Sequence, residues 1–289
     1  MYTELSLKQG SKEISLFLNP TNDRRAQRII GNSPKHLYPS TFEVWEYLIR
    51  SFTWDSIIDV GANYGEMSCS AFLNRTTDDL PIHIFEPSNE LMNNLEMTFR
   101  KKENIFLHKF ALSSTDGPIY FRNFIGNSGK SNVSHTFPVI LRSEITIEKV
   151  QAKKLDSVSG LGGKILMKID VEGHEEEVLA GSIHTIRNSN ELVIMIEANQ
   201  VDIEKIVERF PELKPYAYFR LSGKLKPISN RKLRKLRFMQ SLNMYHHDIL
   251  LVKSKDNLKF VKPITSISQR ISKITSHMFQ IYRMKISND

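Results

Sequence analysis

The chain has 289 residues, 40% of them hydrophobic and 25% charged, with a formal net charge of +8. These values are ordinary for a soluble globular protein and leave room for one large α/β domain with appendages. The single cysteine, Cys69, excludes an internal disulfide and a cysteine-built zinc site. No signal pattern opens the chain, because Glu4, Lys8, Lys12 and Glu13 interrupt its short apolar stretches. The longest apolar run, Leu192 to Ile196, is strand length and far short of a membrane span, so a cytoplasmic protein is expected.

In chain order, residues 1–40 read as a partly irregular cap. Ser40 with Glu43 makes a capping box, opening a helix through Val44, Leu48 and Ile49. Ser56 to Val60 is the first strand, and Asp59-Val60-Gly61-Ala62-Asn63-Tyr64-Gly65 closes it with an acid and two glycines around an asparagine. Glycine takes positive φ freely and admits a ligand to the backbone, and asparagine tolerates the left-handed region. The helix expected from Glu66 to Leu73 then points its N-terminal amides at a bound group, with Cys69 packed inside it. Ile82 to Phe85 is the second strand, ending in Glu86. A carboxylate about 20 residues beyond a glycine loop is placed to hold both hydroxyls of a ribose. Ala-Asn-Tyr separates Gly61 from Gly65 and no third glycine follows, so the loop is not the dinucleotide form. A methionine-derived ligand with one ribose and no pyrophosphate fits it better, with Asp59 orienting the loop.

A helix from Ser88 carries Leu91, Leu95 and Phe99 at helical spacing, and Ile105 to Phe110 is the third strand. The long segment Gly117 to Val150 holds Ile119-Tyr120-Phe121 and a Gly126 to Asn132 loop, which reads either as a substrate-facing loop or as a surface turn. Gly129-Lys130-Ser131 echoes the end of a P-loop, but Phe124 stands where the first glycine belongs, so a nucleotide hydrolase is not expected. Ile165 to Ile169 and Leu192 to Glu197 are strands four and five. Tyr216 to Leu221 and Asp248 to Val252 form the last pair.

The set Asp59-Val60-Gly61-Ala62-Asn63-Tyr64-Gly65, Phe85-Glu86-Pro87, Ala111-Leu112-Ser113, Leu155-Asp156-Ser157-Val158 and Lys168-Ile169-Asp170-Val171-Glu172-Gly173-His174-Glu175, in that order, resembles the FkbM-type methyltransferases. The likeness runs from roughly Thr41 to Lys253, and the ordered set is far more specific than any one motif. It implies a class I methyltransferase, an α/β Rossmann-like fold with a seven-stranded, mostly parallel sheet whose last strand is antiparallel. It implies S-adenosylmethionine as cofactor and O-methylation of a sugar or related product. Cofactor contacts are then expected at Asp59, Gly61, Ala62, Asn63, Gly65, Glu86, Pro87, Ala111 and Leu112, within a methyltransferase domain over 41–255.

Methyl transfer from a sulfonium is an in-line displacement, and a hydroxyl acceptor needs help in losing its proton. Asp170, at the end of strand four, is the leading base. Glu172 and His174 follow, though His174 is expected as an exposed helix-start residue, and Lys168 steadies developing negative charge if it points inward. Asp170, Glu172 and Glu197 are oxygen ligands from neighbouring strand ends for a possible divalent cation, and no metal ligand is assigned. His246-His247 is expected to be structural.

The charge is uneven. No acid lies between Glu212 and Asp248, where Lys214, Arg220, Lys224, Lys226, Arg231, Lys232, Arg234, Lys235 and Arg237 all fall. This encourages a rival reading, a nucleic-acid methyltransferase, but the Asp/Asn-Pro-Pro-aromatic motif common for base amino groups is absent, and nucleic acid is not the favoured partner. A cofactor-binding but inactive scaffold is the other rival. In the expected tail, 256–289, Ile264, Ile267, Ile271, Ile274, Met278 and Ile281 have the spacing of a helical seam. The seam suits a homodimer or docking on the domain, and its basic residues suit peripheral contact with an anionic membrane.

Overall fold

The computed structural model describes residues 2–136, 143–198, 201–219, 222–229 and 245–254. The seam of Ile264 to Ile281, the basic run Arg231 to Arg237 and the side chain of His246 lie outside the described residues.

The N-terminal cap is more regular than the sequence suggests. Strands β1 (Thr3–Gln9) and β2 (Lys12–Leu18) form an antiparallel hairpin, followed by helices α1 (Arg24–Asn32), α2 (Pro34–Leu37) and α3 (Pro39–Ser51). Ile14, Leu16 and Leu18 alternate along β2 into the main core, so the hairpin is part of the domain. The capping box at Ser40 is not made. Helix α3 begins at Pro39 with Tyr38 as its N-cap and no side-chain cap, and Ser40 is buried. Proline's fixed φ already suits the first helical position, so the start moves two residues upstream.

The central sheet comprises β3 (Ser56–Val60), β4 (Ile82–Phe85), β5 (Ile105–His108), β10 (Lys164–Ile169), β11 (Glu191–Glu197), β12 (Lys214–Phe219), β13 (Lys224–Pro227) and β14 (Tyr245–Lys253). Their order is β13-β12-β14-β11-β10-β3-β4-β5, and β14 is antiparallel to both neighbours. This is the α/β, mostly parallel class I methyltransferase architecture, enlarged to eight strands because β13 folds back on β12 as a hairpin. β3, β10 and β11 are apolar on both faces, as strands covered on both sides must be. Helices α4 (Glu66–Asn74) and α5 (Asn89–Thr98) follow β3 and β4, and α6 (Glu175–Ala180), α7 (Ile183–Asn188) and α8 (Ile203–Arg209) follow β10 and β11. Ser88 caps α5 and sends Leu91, Leu95 and Phe99 into the core. Cys69 is fully buried in α4.

A second sheet, in the order β6-β9-β7-β8, is assembled from β6 (Ala111–Leu112), β7 (Gly117–Phe124), β8 (Asn132–Ser134) and β9 (Ile145–Lys153). It occupies the long segment that the sequence left largely unassigned. No helix among the described residues is long and apolar enough to cross a membrane.

Asp156 has a role in this frame. Its carboxylate accepts from the His184 and Thr185 amides at 2.9 and 2.8 Å and from the Thr185 hydroxyl at 2.8 Å, capping α7 from outside the helix. Asp156→Ala is expected to cost about 1–2 kcal/mol, the range of a lost helix cap. A denaturant midpoint equal to that of the parent protein would dismiss the cap.

Candidate active site

The chain leaves β3 toward β4 on one side and returns to β10 on the other, so the sheet changes direction between β3 and β10. Crevices outside the carboxyl ends of such strands are where ligands sit in open α/β sheets. Here the strand ends are knitted together. The Asp170 amide donates to the Val60 carbonyl at 3.0 Å, and the Gly61 and Ala62 amides donate to the Phe85 carbonyl at 3.0 and 3.1 Å. Gly61 has φ +78°, and a Cβ there would run into the Asp170 carbonyl. Gly61→Ala is therefore expected to destabilise the fold by roughly 2 kcal/mol or more, from left-handed strain plus overpacking. An unchanged melting temperature would refute that close approach.

Beyond Gly61 the backbone stays left-handed at Asn63, φ +54°, and again at Gly65. The Asn63 amide thereby reaches one oxygen of Glu86 at 2.9 Å, and the Ser88 amide reaches the other, also at 2.9 Å. Burial pushes the Glu86 carboxyl up to about 7, against the pull of these two amides.

The cleft at these strand ends is lined by Gly61, Asn63, Glu86, Pro87, Ala111 and Leu112 on one side and by Asp170, Glu172 and His174 on the other. Asp59, Ala62, Gly65 and Lys168 do not line it. Asp59 is buried and accepts from the Ser68 hydroxyl at 2.5 Å, tying α4 to β3. Burial raises its carboxyl, with Lys168 and the Ser68 hydroxyl opposing. Lys168 pairs with Asp59 across the strands and places its ammonium 2.8 Å from an Asp170 oxygen. Burial disfavours that ammonium, but Asp170 and Asp59 outweigh the burial and leave its pKa raised.

Glu172 is held at φ +53°, an uncommon conformation for a residue with a side chain. The loop around it is pinned by Glu175, whose carboxylate accepts from the Val171 and Gly173 amides at 3.2 and 3.0 Å. Burial, then the neighbouring charges of Asp170 and Glu197, push the Glu172 carboxyl up to about 7. Asp170, Glu172 and Glu197 thus feel one another, yet among the described residues no group of three or more His, Cys, Asp or Glu is arranged to hold a metal ion.

His174 departs from the sequence expectation. It is buried rather than exposed, with Nε2 3.0 Å from the Ser113 hydroxyl and its ring beside His135. Burial, with His135 adding to it, lowers its pKa to about 4. The cause is tertiary: Ser113 and His135 flank the second sheet, which covers the start of α6.

Ser128, Gly129, Ser131 and Asn132 come from the glycine-asparagine-serine loop, which faces the cleft as one of its two expected readings had it. Phe121 and Val133 of β7 and β8, which sequence reasoning missed, complete the walls. Arg25 arrives from α1 and gives no local sequence signal. A single carboxylate, Asp23, organises this side. It accepts from the Arg25 amide at 2.8 Å, the Ser128 amide at 3.2 Å and the Tyr64 hydroxyl at 2.9 Å.

A family model described as Methyltransferase FkbM domain matches residues 59–220, more than half of the chain. The chain belongs to the FkbM methyltransferase family. The match begins within β3, so the hairpin and α1 to α3 precede the matched segment, although α1 contributes Arg25 to the FkbM cleft. The hexuronic acid methyltransferase AglP of Haloferax volcanii is 27% identical over 162 residues, which cover 55% of this chain and 63% of that protein. The chain thus spans just under two thirds of that relative's length. The structure of a methyltransferase FkbM from Methylobacillus flagellatus KT aligns with 78% of this chain and 54% of its own, at 12% identity and a TM-score of 0.42. A methyltransferase from Geobacter sulfurreducens aligns with 79% of this chain and 85% of its own, at 9% identity and a TM-score of 0.41.

Proposed function

We propose that this FkbM protein transfers a methyl group from S-adenosylmethionine to a hydroxyl of a glycan or glycosylated metabolite. The observation that carries the reading is Glu86. Its carboxylate is fixed by two amides, faces the cleft and keeps further lone pairs for the hydroxyls of a ribose. Leu91, Pro87, Ala111 and Leu112 offer apolar walls of the kind an adenine needs. The donor and acceptor set therefore fits the cofactor. The substrate named for the Haloferax volcanii relative, a hexuronic acid, supports a sugar acceptor.

When bound, the cofactor supplies an electrophilic methyl group and a good thioether leaving group. The protein's part is to align the acceptor, keep water out and take its proton. Glu172 suits the last task, because a carboxyl near 7 is matched to general-base work at neutral pH. Asp170 beside it is tied to Lys168 at the end of β10, and His174, held neutral by burial, lines the same wall.

The experiment is direct. Calorimetry with S-adenosylmethionine and S-adenosylhomocysteine should show binding of both, and a labelled methyl group should appear in a glycan fraction incubated with the protein. Failure to bind either compound would end the reading, and label found only in RNA would replace the acceptor.

A further inference from the structure

We infer that Arg25, carried to the cleft by the N-terminal helix α1 and lying against Gly129, is the seat of the carboxylate in the amino-acid half of S-adenosylmethionine. The inference rests on the cofactor reading above and adds a residue from outside the matched domain.

Arg25 is the only Lys or Arg among the described residues that line the cleft. Its Nε donates to a Glu66 oxygen at 3.2 Å, at the first turn of α4. The terminal nitrogens of the guanidinium make no hydrogen bond among the described residues, so a planar fork of donors remains open. A Cβ on Gly129 would lie 3.0 Å from Nη1, so the bare backbone of that glycine keeps the approach clear.

Placement relative to the ribose acid runs through a short chain of contacts. The Asn63 amide binds Glu86, and the Asn63 side-chain oxygen accepts from the Ser128 hydroxyl at 3.1 Å. The Ser128 amide and the Arg25 amide both bind Asp23. Arg25 is thus linked to Glu86 through Asp23, Ser128 and Asn63, and its charge acts on that carboxylate across the cleft. Arg25 lies within electrostatic reach of Asp170 and Glu172, and among these groups it alone attracts a carboxylate and offers the bidentate geometry that a carboxylate matches best.

Comparison of S-adenosylhomocysteine with 5′-methylthioadenosine tests this, because the second compound keeps the adenine, ribose and thioether but lacks the amino-acid half. Calorimetry on the full chain should show the first binding more tightly. Arg25→Gln and Arg25→Lys should each weaken it by about 10- to 100-fold, the size of a lost charged hydrogen-bond pair, while leaving methylthioadenosine unchanged. Lysine keeps a charge opposite Glu66, and its single nitrogen cannot serve both partners, so it covers the case in which glutamine disturbs folding; melting curves report which case holds. A preference that survives in the folded variants, or an equal loss for both compounds, overturns the role of Arg25. Binding of neither compound by the parent protein instead overturns the cofactor reading, and this inference with it.

Discussion

Replacing Glu86 by alanine is expected to weaken S-adenosylmethionine and S-adenosylhomocysteine binding by about 10²-fold or more, the sum of two hydrogen bonds to a charged acceptor. Alanine also leaves the Asn63 and Ser88 amides without their acceptor. Glu86→Gln, which retains one oxygen, should lose less. A pH signature goes with the role. The Glu86 carboxyl lies near 7 in the free protein, against an ordinary value of 4.5, and ribose hydroxyls bind the anion best. Affinity should therefore rise with pH up to about 7 and then level, with protons released on binding below that point.

Linkage fixes the sign for stability. A carboxyl raised in the folded state contributes stability that is complete below 4.5 and is lost as pH rises through about 7. The ligand-free protein should melt at lower temperature across that window, and less steeply in Glu86→Gln. Unaltered affinity in the alanine variant would remove Glu86 from the site.

Glu172→Gln is expected to lower turnover by about 10²- to 10⁴-fold, the contribution of a positioned general base, with S-adenosylhomocysteine affinity nearly unchanged. The parent enzyme should gain rate as pH rises through about 7 and hold it above, since the carboxylate is the active form. That rising limb should vanish in the variant. Asp170→Asn behaves differently, because it strips the Lys168 ammonium of the partner at 2.8 Å. It should lower turnover and also cost stability, by less than the roughly 3–5 kcal/mol of an uncompensated buried charge because Asp59 and Asp248 still act on the ammonium. A Glu172→Gln enzyme that keeps its rate would take the base role from Glu172.

One wall of the cleft was readable because each part lies within a few residues of a strand end. A buried parallel strand must be an apolar run, and a turn at its end that leaves the backbone left-handed selects glycine or asparagine. Gly61, Asn63 and Glu86 therefore carry their positions in their residue types. The same local logic found β10, β11 and the glycine-asparagine-serine loop. It failed where a neighbour distant in sequence sets the environment. Ser40 has the residues of a capping box, but Pro39 starts the helix. His174 stands at a helix start that would be exposed if the second sheet did not cover it.

What the sequence by itself determined is where the central strands other than β13 fall along the chain and which residue types stand at three of their carboxyl ends, because hydrophobic period and turn stereochemistry are local properties. Only the tertiary structure decided which of those groups face the cleft. It turned Asp59 and Lys168 into supports, raised Glu86 and Glu172 by burial, and brought Arg25 from α1 to a glycine loop far along the chain. Exposure and charge depend on everything packed around a group, and packing brings together residues that no local pattern connects.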